Sequence, residues 1–339
     1  MKSIYSLTPK AARELFCEGA STARADNIFK DIYRDGAESY ARMTRTSAKV
    51  KAALQSEYEF IMPQLVKKQE CEDSVKYLFR LNDGNLIESV LMRQKYGSSV
   101  CVSSQVGCNM GCAFCESGRH KRVRDLTAGE MVSQLLFISK EQGITITNAA
   151  VMGIGEPFDN FDAVCDFCDI VTDDNGLAIS PLRVTVSTCG IADKITEFAK
   201  RQRPCSLAIS LHAADDSLRS SLMPINKKYP LELLMKAARE YIAITGGRVL
   251  LEYTLLGGVN DRADDADRLS ALILGGGFTV NLIEYNPTEG SDFEKSARFF
   301  EFYDELKKHN IRVTVRRKFG TEINAACGQL KSANERDMT

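Results

Sequence analysis

No stretch of this 339-residue chain approaches the roughly 18 uninterrupted apolar residues that a membrane span needs. The longest candidate, Ala271 to Ile283, is broken by Gly275, Gly276 and Gly277, which excludes a membrane-spanning class. Neither sign of charge is in excess. Lys and Arg number 44 against 45 Asp and Glu, a net charge of −1. No global field therefore attracts polyanions, and any nucleic-acid contact must come from local basic patches. An apolar leader is missing as well: Met1-Lys-Ser-Ile-Tyr-Ser is too polar for a secretory signal. The eleven cysteines, an odd number, are accordingly expected in a reducing cytoplasmic setting, in metal or catalytic use and not in a disulfide framework. Internal repeats and low-complexity tracts are absent. What remains is a globular chain, 44% hydrophobic and long enough for one large core with a smaller appendage.

Against this background one segment stands out, Cys108-Asn-Met-Gly-Cys112-Ala-Phe-Cys115. Three closely spaced thiolates on one loop suit three irons of a cubane [4Fe–4S] cluster. The fourth iron is then left without a protein ligand and open to a small chelating molecule. Structural zinc fits less well, because it usually takes four ligands in two pairs. His120, the nearest further donor, stands inside a basic run.

Along the chain, residues 1 to about 70 read as helical, with apolar residues at helical spacing in Ala11–Phe16, Ile28–Tyr33 and Val50–Phe60. A β-hairpin is expected around Asp83-Gly84. From about 99 onward strands and helices alternate. Strand candidates are Val100–Ser103, Ala149–Ile154, Arg183–Ser187, Ser206–Leu211, Val249–Leu255, Val280–Tyr285 and Ile311–Val315. The first helix opens on Thr127-Ala-Gly-Glu130, a capping-box pattern. Repeated βα units imply a parallel sheet, and six of them a partial (β/α)6 barrel whose site lies at the carboxyl ends of the strands. The organisation expected is a helical accessory domain over 1–70, a hairpin linker over 71–98, the barrel over 99–330 and a tail over 331–339.

The cysteine triplet and the Gly153-Ile-Gly-Glu156 turn resemble those of radical S-adenosylmethionine (SAM) enzymes. Further segments narrow the resemblance: Cys101-Val-Ser-Ser-Gln-Val-Gly-Cys108, Gly155-Glu-Pro-Phe-Asp-Asn160, Ser187-Thr-Cys-Gly190, Ser210-Leu-His-Ala213, Leu222-Met-Pro-Ile-Asn-Lys-Lys-Tyr-Pro-Leu231, Gly257-Gly-Val-Asn-Asp261, Asn281-Leu-Ile-Glu-Tyr-Asn-Pro287 and Ile323-Asn-Ala-Ala-Cys-Gly-Gln-Leu330. In this order, over nearly the whole chain, they are similar to the RlmN/Cfr family of radical SAM RNA methyltransferases. The resemblance implies a radical SAM barrel with Cys108, Cys112 and Cys115 as cluster ligands. Gly155, Glu156, Ser187, Ser210, Leu211, His212 and Asn286 would line the SAM site, by backbone or side chain. It also implies two SAM molecules per turnover. One methylates Cys327. The other, bound at the open iron, yields a 5′-deoxyadenosyl radical that takes a hydrogen from the S-methyl group. The carbon then adds to an sp² carbon of adenine. Cys101 resolves the adduct as a disulfide with Cys327, and Glu88 serves as the base.

The implied substrate is 23S rRNA, modified by default at carbon 2 of an adenine, with tRNA as a further substrate. Carbon 8, or a radical SAM reaction on something other than RNA, is the alternative. An electron donor such as flavodoxin or ferredoxin would complete the system, with no membrane partner. Two basic runs, Arg119-His-Lys-Arg-Val-Arg124 and Arg316-Arg-Lys318, are candidates for phosphate contact. Cys165 and Cys168 share a helix face and suit core packing better than a second metal site. Cys17, Cys71, Cys189 and Cys205 read as structural or incidental.

Overall fold

The computed structural model describes residues 1–17, 21–201, 205–288 and 290–330. Its frame is one ten-stranded sheet. The strands are β1 (Gln64–Glu70), β2 (Ser74–Arg80), β3 (Leu86–Gln94), β4 (Gly97–Val102), β5 (Ile146–Val151), β6 (Val184–Thr188), β7 (Ser206–Ser210), β8 (Val249–Leu255), β9 (Phe278–Glu284) and β10 (Val313–Val315). Each strand pairs with its predecessor, so the spatial order is the chain order. β1 to β4 form an antiparallel meander, and β4 to β10 run parallel. The expected hairpin is thus not a separate linker but part of the barrel sheet.

The helices are α1 (Pro9–Phe16), α2 (Ala23–Phe29), α3 (Ala48–Glu57), α4 (Ala128–Gln142), α5 (Phe161–Thr172), α6 (Ala192–Ala199), α7 (Asp216–Leu222), α8 (Leu231–Thr245), α9 (Ala263–Leu272) and α10 (Phe299–Lys308). From α4 on they make the crossovers between successive parallel strands, six in all, as the alternating pattern predicts. The central parallel strands are largely buried on both faces because helices cover one face and the barrel interior the other. No helix among the described residues is long and apolar enough to cross a membrane.

Residues 64–70, included in the helical reading, instead form β1. Its sequence, Gln-Leu-Val-Lys-Lys-Gln-Glu, lies at the sheet edge with both faces largely exposed. No alternation of polarity was there to be read. Tyr58–Glu59, also read as helical, pairs in parallel with Lys2–Ser3; the rest of the front is helices and loops, and it shares one apolar core with the barrel, in which Ile4, Ile28, Leu54, Phe79, Leu135 and Phe167 are all buried.

Two devices fix that union. Thr127 Oγ1 accepts from the Glu130 N–H, and the Glu130 carboxylate accepts from the Thr127 N–H, completing the expected capping box on α4. One residue away, the Gly129 N–H donates to Ser6 Oγ at 3.0 Å. A Cβ on Gly129 would stand 2.4 Å from that oxygen and 2.9 Å from the Ser6 nitrogen. Only glycine lets the amino-terminal segment approach this closely. Gly129→Leu is expected to lift this segment off α4 at a cost of about 1–3 kcal/mol. Limited proteolysis at Lys2, Lys10 and Arg13 should then accelerate, and an unchanged cleavage rate would contradict the contact.

Candidate active site

The cysteine loop leaves the carboxyl end of β4 and folds back on itself. The Cys108 N–H donates to the His120 carbonyl at 2.8 Å, and the Cys115 N–H to the Cys112 carbonyl at 3.1 Å. At Gly107, φ is +76° and a Cβ would lie 2.2 Å from the Lys121 carbonyl oxygen, so the return requires glycine there. Cys108, Cys112 and Cys115 consequently face one cavity at the strand ends. Burial pushes the Cys108 thiol up to about 12 and the Cys115 thiol up to about 11. A soft three-sulfur set in a shielded pocket fits an iron–sulfur cluster, whose assembly must expel those protons.

Gly155, Glu156, Ser187, Ser210, His212 and Asn286 line the same cavity, which encloses about 950 Å³ including its mouth. Gly155 adopts φ +112° and a Cβ there would press on the Gln105 side chain at 2.7 Å. Glu156 is fully buried, and burial raises its pKa. Its two oxygens accept from the Phe158 and Cys189 N–H groups at 2.9 and 2.7 Å, which offsets part of the desolvation cost.

His212 takes φ +56°, rare for a side-chain-bearing residue. Its Nδ1 accepts from the Thr254 N–H at 3.0 Å, so the neutral ring carries its proton on Nε2. Burial, with the Arg219 charge adding to it, lowers its pKa to about 3. Leu211 stands between Ser210 and His212, which line the cavity. Its side chain is in the core, its N–H donates to Glu252, and its carbonyl accepts from Arg219. It is absent from the cavity wall.

Cys327 reaches this cavity from the carboxyl-terminal loop, together with Gly328. The loop is tied to its surroundings at several points. The Glu116 N–H donates to the Gly328 carbonyl at 2.8 Å, and the Ser117 hydroxyl to the Leu330 carbonyl at 2.7 Å. Asn286 Nδ2 lies 3.5 Å from the Cys327 carbonyl. Cys101 and Cys327 line a second, adjoining cavity that shares Met152, Gly153, Asn286, Arg316 and Cys115 with the first. Cys101 is buried there and Cys327 exposed. Burial, reinforced by the nearby Cys327 charge, pushes the Cys101 thiol up to about 12. Glu88 stands apart: it faces Lys76 at 3.3 Å and lines neither cavity. Lys76 in turn donates to the Asn324 carbonyl of the Cys327 loop.

Arg316 does not face solvent as part of a phosphate patch. It pairs with buried Glu252 at 3.2 Å, and its pKa is raised chiefly by Cys327, then by Glu252 and Cys101. Lys318 pairs with Glu284 at 2.5 Å, which leaves Arg317, stacked on Phe319, as the outward member of that run. In the other run Arg124 holds Glu130 and Asp83, Arg122 faces Asp125, and Arg119 faces Glu116. Most of these charges serve the loop's own folding. Sequence reasoning missed Cys189, whose Sγ lies 4.0 Å from Cys112 Sγ on the cavity wall. It also missed Glu252, though a carboxylate inside Val-Leu-Leu-Glu-Tyr-Thr-Leu is itself a signal.

Residues 102–269 match the model of the radical SAM superfamily. Over 343 aligned residues the chain is 46% identical to a protein of Streptococcus mutans named "Probable dual-specificity RNA methyltransferase RlmN", covering 97% of this chain and 95% of that one. It is 43% identical to a Spiroplasma citri protein of the same name, covering 99% of each. Among solved structures, a radical SAM methyltransferase from Sphaerobacter thermophilus superposes with a TM-score of 0.88 at 39% identity, over 97% of this chain and 99% of that one.

Two measurements test the electrostatics of the cavity. The His212 ring nitrogens should keep neutral-imidazole NMR shifts from about pH 5 to pH 8, where an unperturbed histidine titrates; a titration in that range would contradict the buried geometry. Because Cys108 and Cys115 are protonated at neutral pH in the metal-free chain, cluster loading should strengthen as pH rises. A chelator competition that is flat with pH would overturn this.

Proposed function

The chain belongs to the RlmN/Cfr family of radical SAM RNA methyltransferases, and from that premise we propose that it transfers a methyl-derived carbon by way of Cys327 to carbon 2 of an adenine. The proposed substrate is 23S rRNA, with tRNA as a second one. The naming of its relatives as dual-specificity RNA methyltransferases supports a reading with more than one RNA substrate. When bound, the [4Fe–4S] cluster and SAM supply radical chemistry, which an electron-poor sp² C–H without a nucleophile requires.

The observation that carries the reading is the second cavity, where Cys101, Cys327 and Arg316 share one wall next to the cysteine loop. Cys327 is the mobile carrier in this proposal. Its loop has glycine at both ends in the left-handed region, Gly320 at φ +62° and Gly328 at φ +84°. Exposure lets its sulfur take up a carbon, and the small flanks Ala325 and Ala326 let it turn between partners. Cys101 is the resolving residue: its sulfur bonds to the Cys327 sulfur as the S–C bond to the product breaks. To attack it must lose a proton that burial holds tightly, and the Arg316 guanidinium favours that loss. Cys108, Cys112 and Cys115 would hold the cluster, and Gly155, Glu156, Ser187, Ser210, His212 and Asn286 would shape the SAM pocket. With its ring neutral, His212 serves there as an Nε2–H donor and not as an acid.

Glu88 is retained as the base, acting with Lys76. Lys76 bridges the Glu88 carboxylate and the Cys327 loop, so loop movement that broke the Lys76–Asn324 bond would let the ion pair shift. On this reading the loop couples carbon delivery to proton removal.

Two outcomes are expected. Cys101→Ala should stop turnover at a covalent RNA–protein adduct on Cys327, visible as a gel-shifted species sensitive to RNase. Its absence in protein that still methylates Cys327 would overturn the resolving role. In a strain lacking its own enzyme, this chain should restore 2-methyladenosine in 23S rRNA and tRNA, measured by nucleoside mass spectrometry. The appearance of 8-methyladenosine would instead establish the alternative product.

A further inference from the structure

Four sulfurs, and not three, meet at the cysteine loop. Cys189 follows β6 and lines the same cavity as Cys108, Cys112 and Cys115. Its Sγ stands 4.0 Å from that of Cys112, within sulfur hydrogen-bonding distance. We propose that Cys189 donates an S–H···S hydrogen bond to the Cys112 thiolate and thereby raises the reduction potential of the cluster. The inference rests on the reading that Cys108, Cys112 and Cys115 hold a [4Fe–4S] cluster, and it concerns a residue which that reading leaves unassigned.

The backbone of Cys189 is fixed from both sides. Its N–H donates to Glu156 Oε2 at 2.7 Å, and its carbonyl accepts from Arg219 Nη2 at 2.7 Å. Arg219 is fully buried and also donates to the Leu211 and Ser210 carbonyls and to Asn226 Oδ1. It thus bolts the Cys189 turn to the ends of neighbouring strands. Gly190 turns away at φ +110°, where a Cβ would press on Leu234 at 3.0 Å and on the Arg219 guanidinium at 3.2 Å. The backbone that carries the thiol is therefore held in a rigid polar frame, which leaves the sulfur beside Cys112.

The direction of the hydrogen bond follows from chemistry. An iron-bound thiolate has no proton, so only Cys189 can donate. A ligand role for Cys189 fits this geometry poorly. Thiolates on different corners of a cubane are spread apart by the core, whereas these two sulfurs are in contact. Reduction places further negative charge on the cluster and its sulfurs. A donor to one of them stabilises the reduced state more than the oxidised one, so the potential rises. In this chain Cys189 is a positioning residue that acts through Cys112.

The test is a potentiometric titration, followed by electron paramagnetic resonance, of anaerobically reconstituted full-length protein without RNA. Wild type, Cys189→Ala and Cys189→Ser are compared at measured iron content. All three should carry the full iron complement. The alanine variant should have a more negative midpoint than wild type. The serine variant, which keeps a hydroxyl donor with shorter reach, should lie between them and also guards against misfolding of the alanine chain. Equal midpoints in loaded proteins would overturn the inference while leaving the cluster assignment intact. Loss of one iron in both variants would overturn it in favour of a fourth ligand. A wild-type chain that takes up no cluster would overturn the underlying reading, and this one with it.

Discussion

Strand register is the constraint on which the site depends. β3 pairs with β4 so that Val90 stands opposite Cys101, and β4 pairs with β5 so that Cys101 stands opposite Ala150. Side chains alternate along a strand, and a slip of one residue would turn every one of them to the other face. Cys101 would then point into the covering helices and not toward Cys327. The same register aims the end of β4 at the cavity, so that the loop carrying Cys108, Cys112 and Cys115 emerges at the strand ends. Because hydrogen bonding runs unbroken from the meander into the parallel half, the front of the chain helps to hold this alignment.

Alternation also explains what could be read from sequence and what could not. The parallel strands were legible as short apolar runs, as in Val249–Leu255, since both of their faces are covered. At the end of β7, Ser210 and His212 face the cavity while the intervening Leu211 turns into the core. Parity alone leaves Leu211 to meet the expected pocket through its backbone. Arg316 illustrates the same point. It shares its parity with Thr314, whose hydroxyl meets Asn281 Oδ1 at 2.8 Å, and Asn281 in turn donates to Glu252 at 3.0 Å. Three consecutive basic residues look alike in sequence, but a strand end sends the first inward. Cys189 was illegible for another reason: its closeness to Cys112 spans 77 positions and exists only once two strand ends are brought together. The three cluster cysteines, local in sequence, needed no such folding to be recognised.

The buried polar pair Asn281 and Glu252, which leads from exposed Thr314 to Arg316, costs desolvation that an apolar filling would avoid. What it supplies is a fixed cation beside exposed Cys327 and beside the Cys101 sulfur, which otherwise sits among Val90, Ile154, Ala325 and Leu330. Buried thiols in apolar surroundings are inert. Pairing Arg316 with a carboxylate on its far side keeps the guanidinium oriented without neutralising its influence on the cysteines. The electrostatics of the second cavity are thus set by a partner two strands away.

The outermost strand, β1, has a consequence beyond this molecule. An open sheet offers unpaired main-chain groups at its rim, a template on which a neighbour's strand could extend the ladder. Here the rim is Gln64–Glu70, with Lys67 and Lys68 at its centre and an irregularity in its pairing between Leu65 and Lys67. Lys68 is ion-paired with Glu141 and Glu70, which leaves the Lys67 charge and the kink in the border to oppose a second copy that would approach with the same border. A border that lines neither cavity thereby disfavours extension of the sheet at this edge.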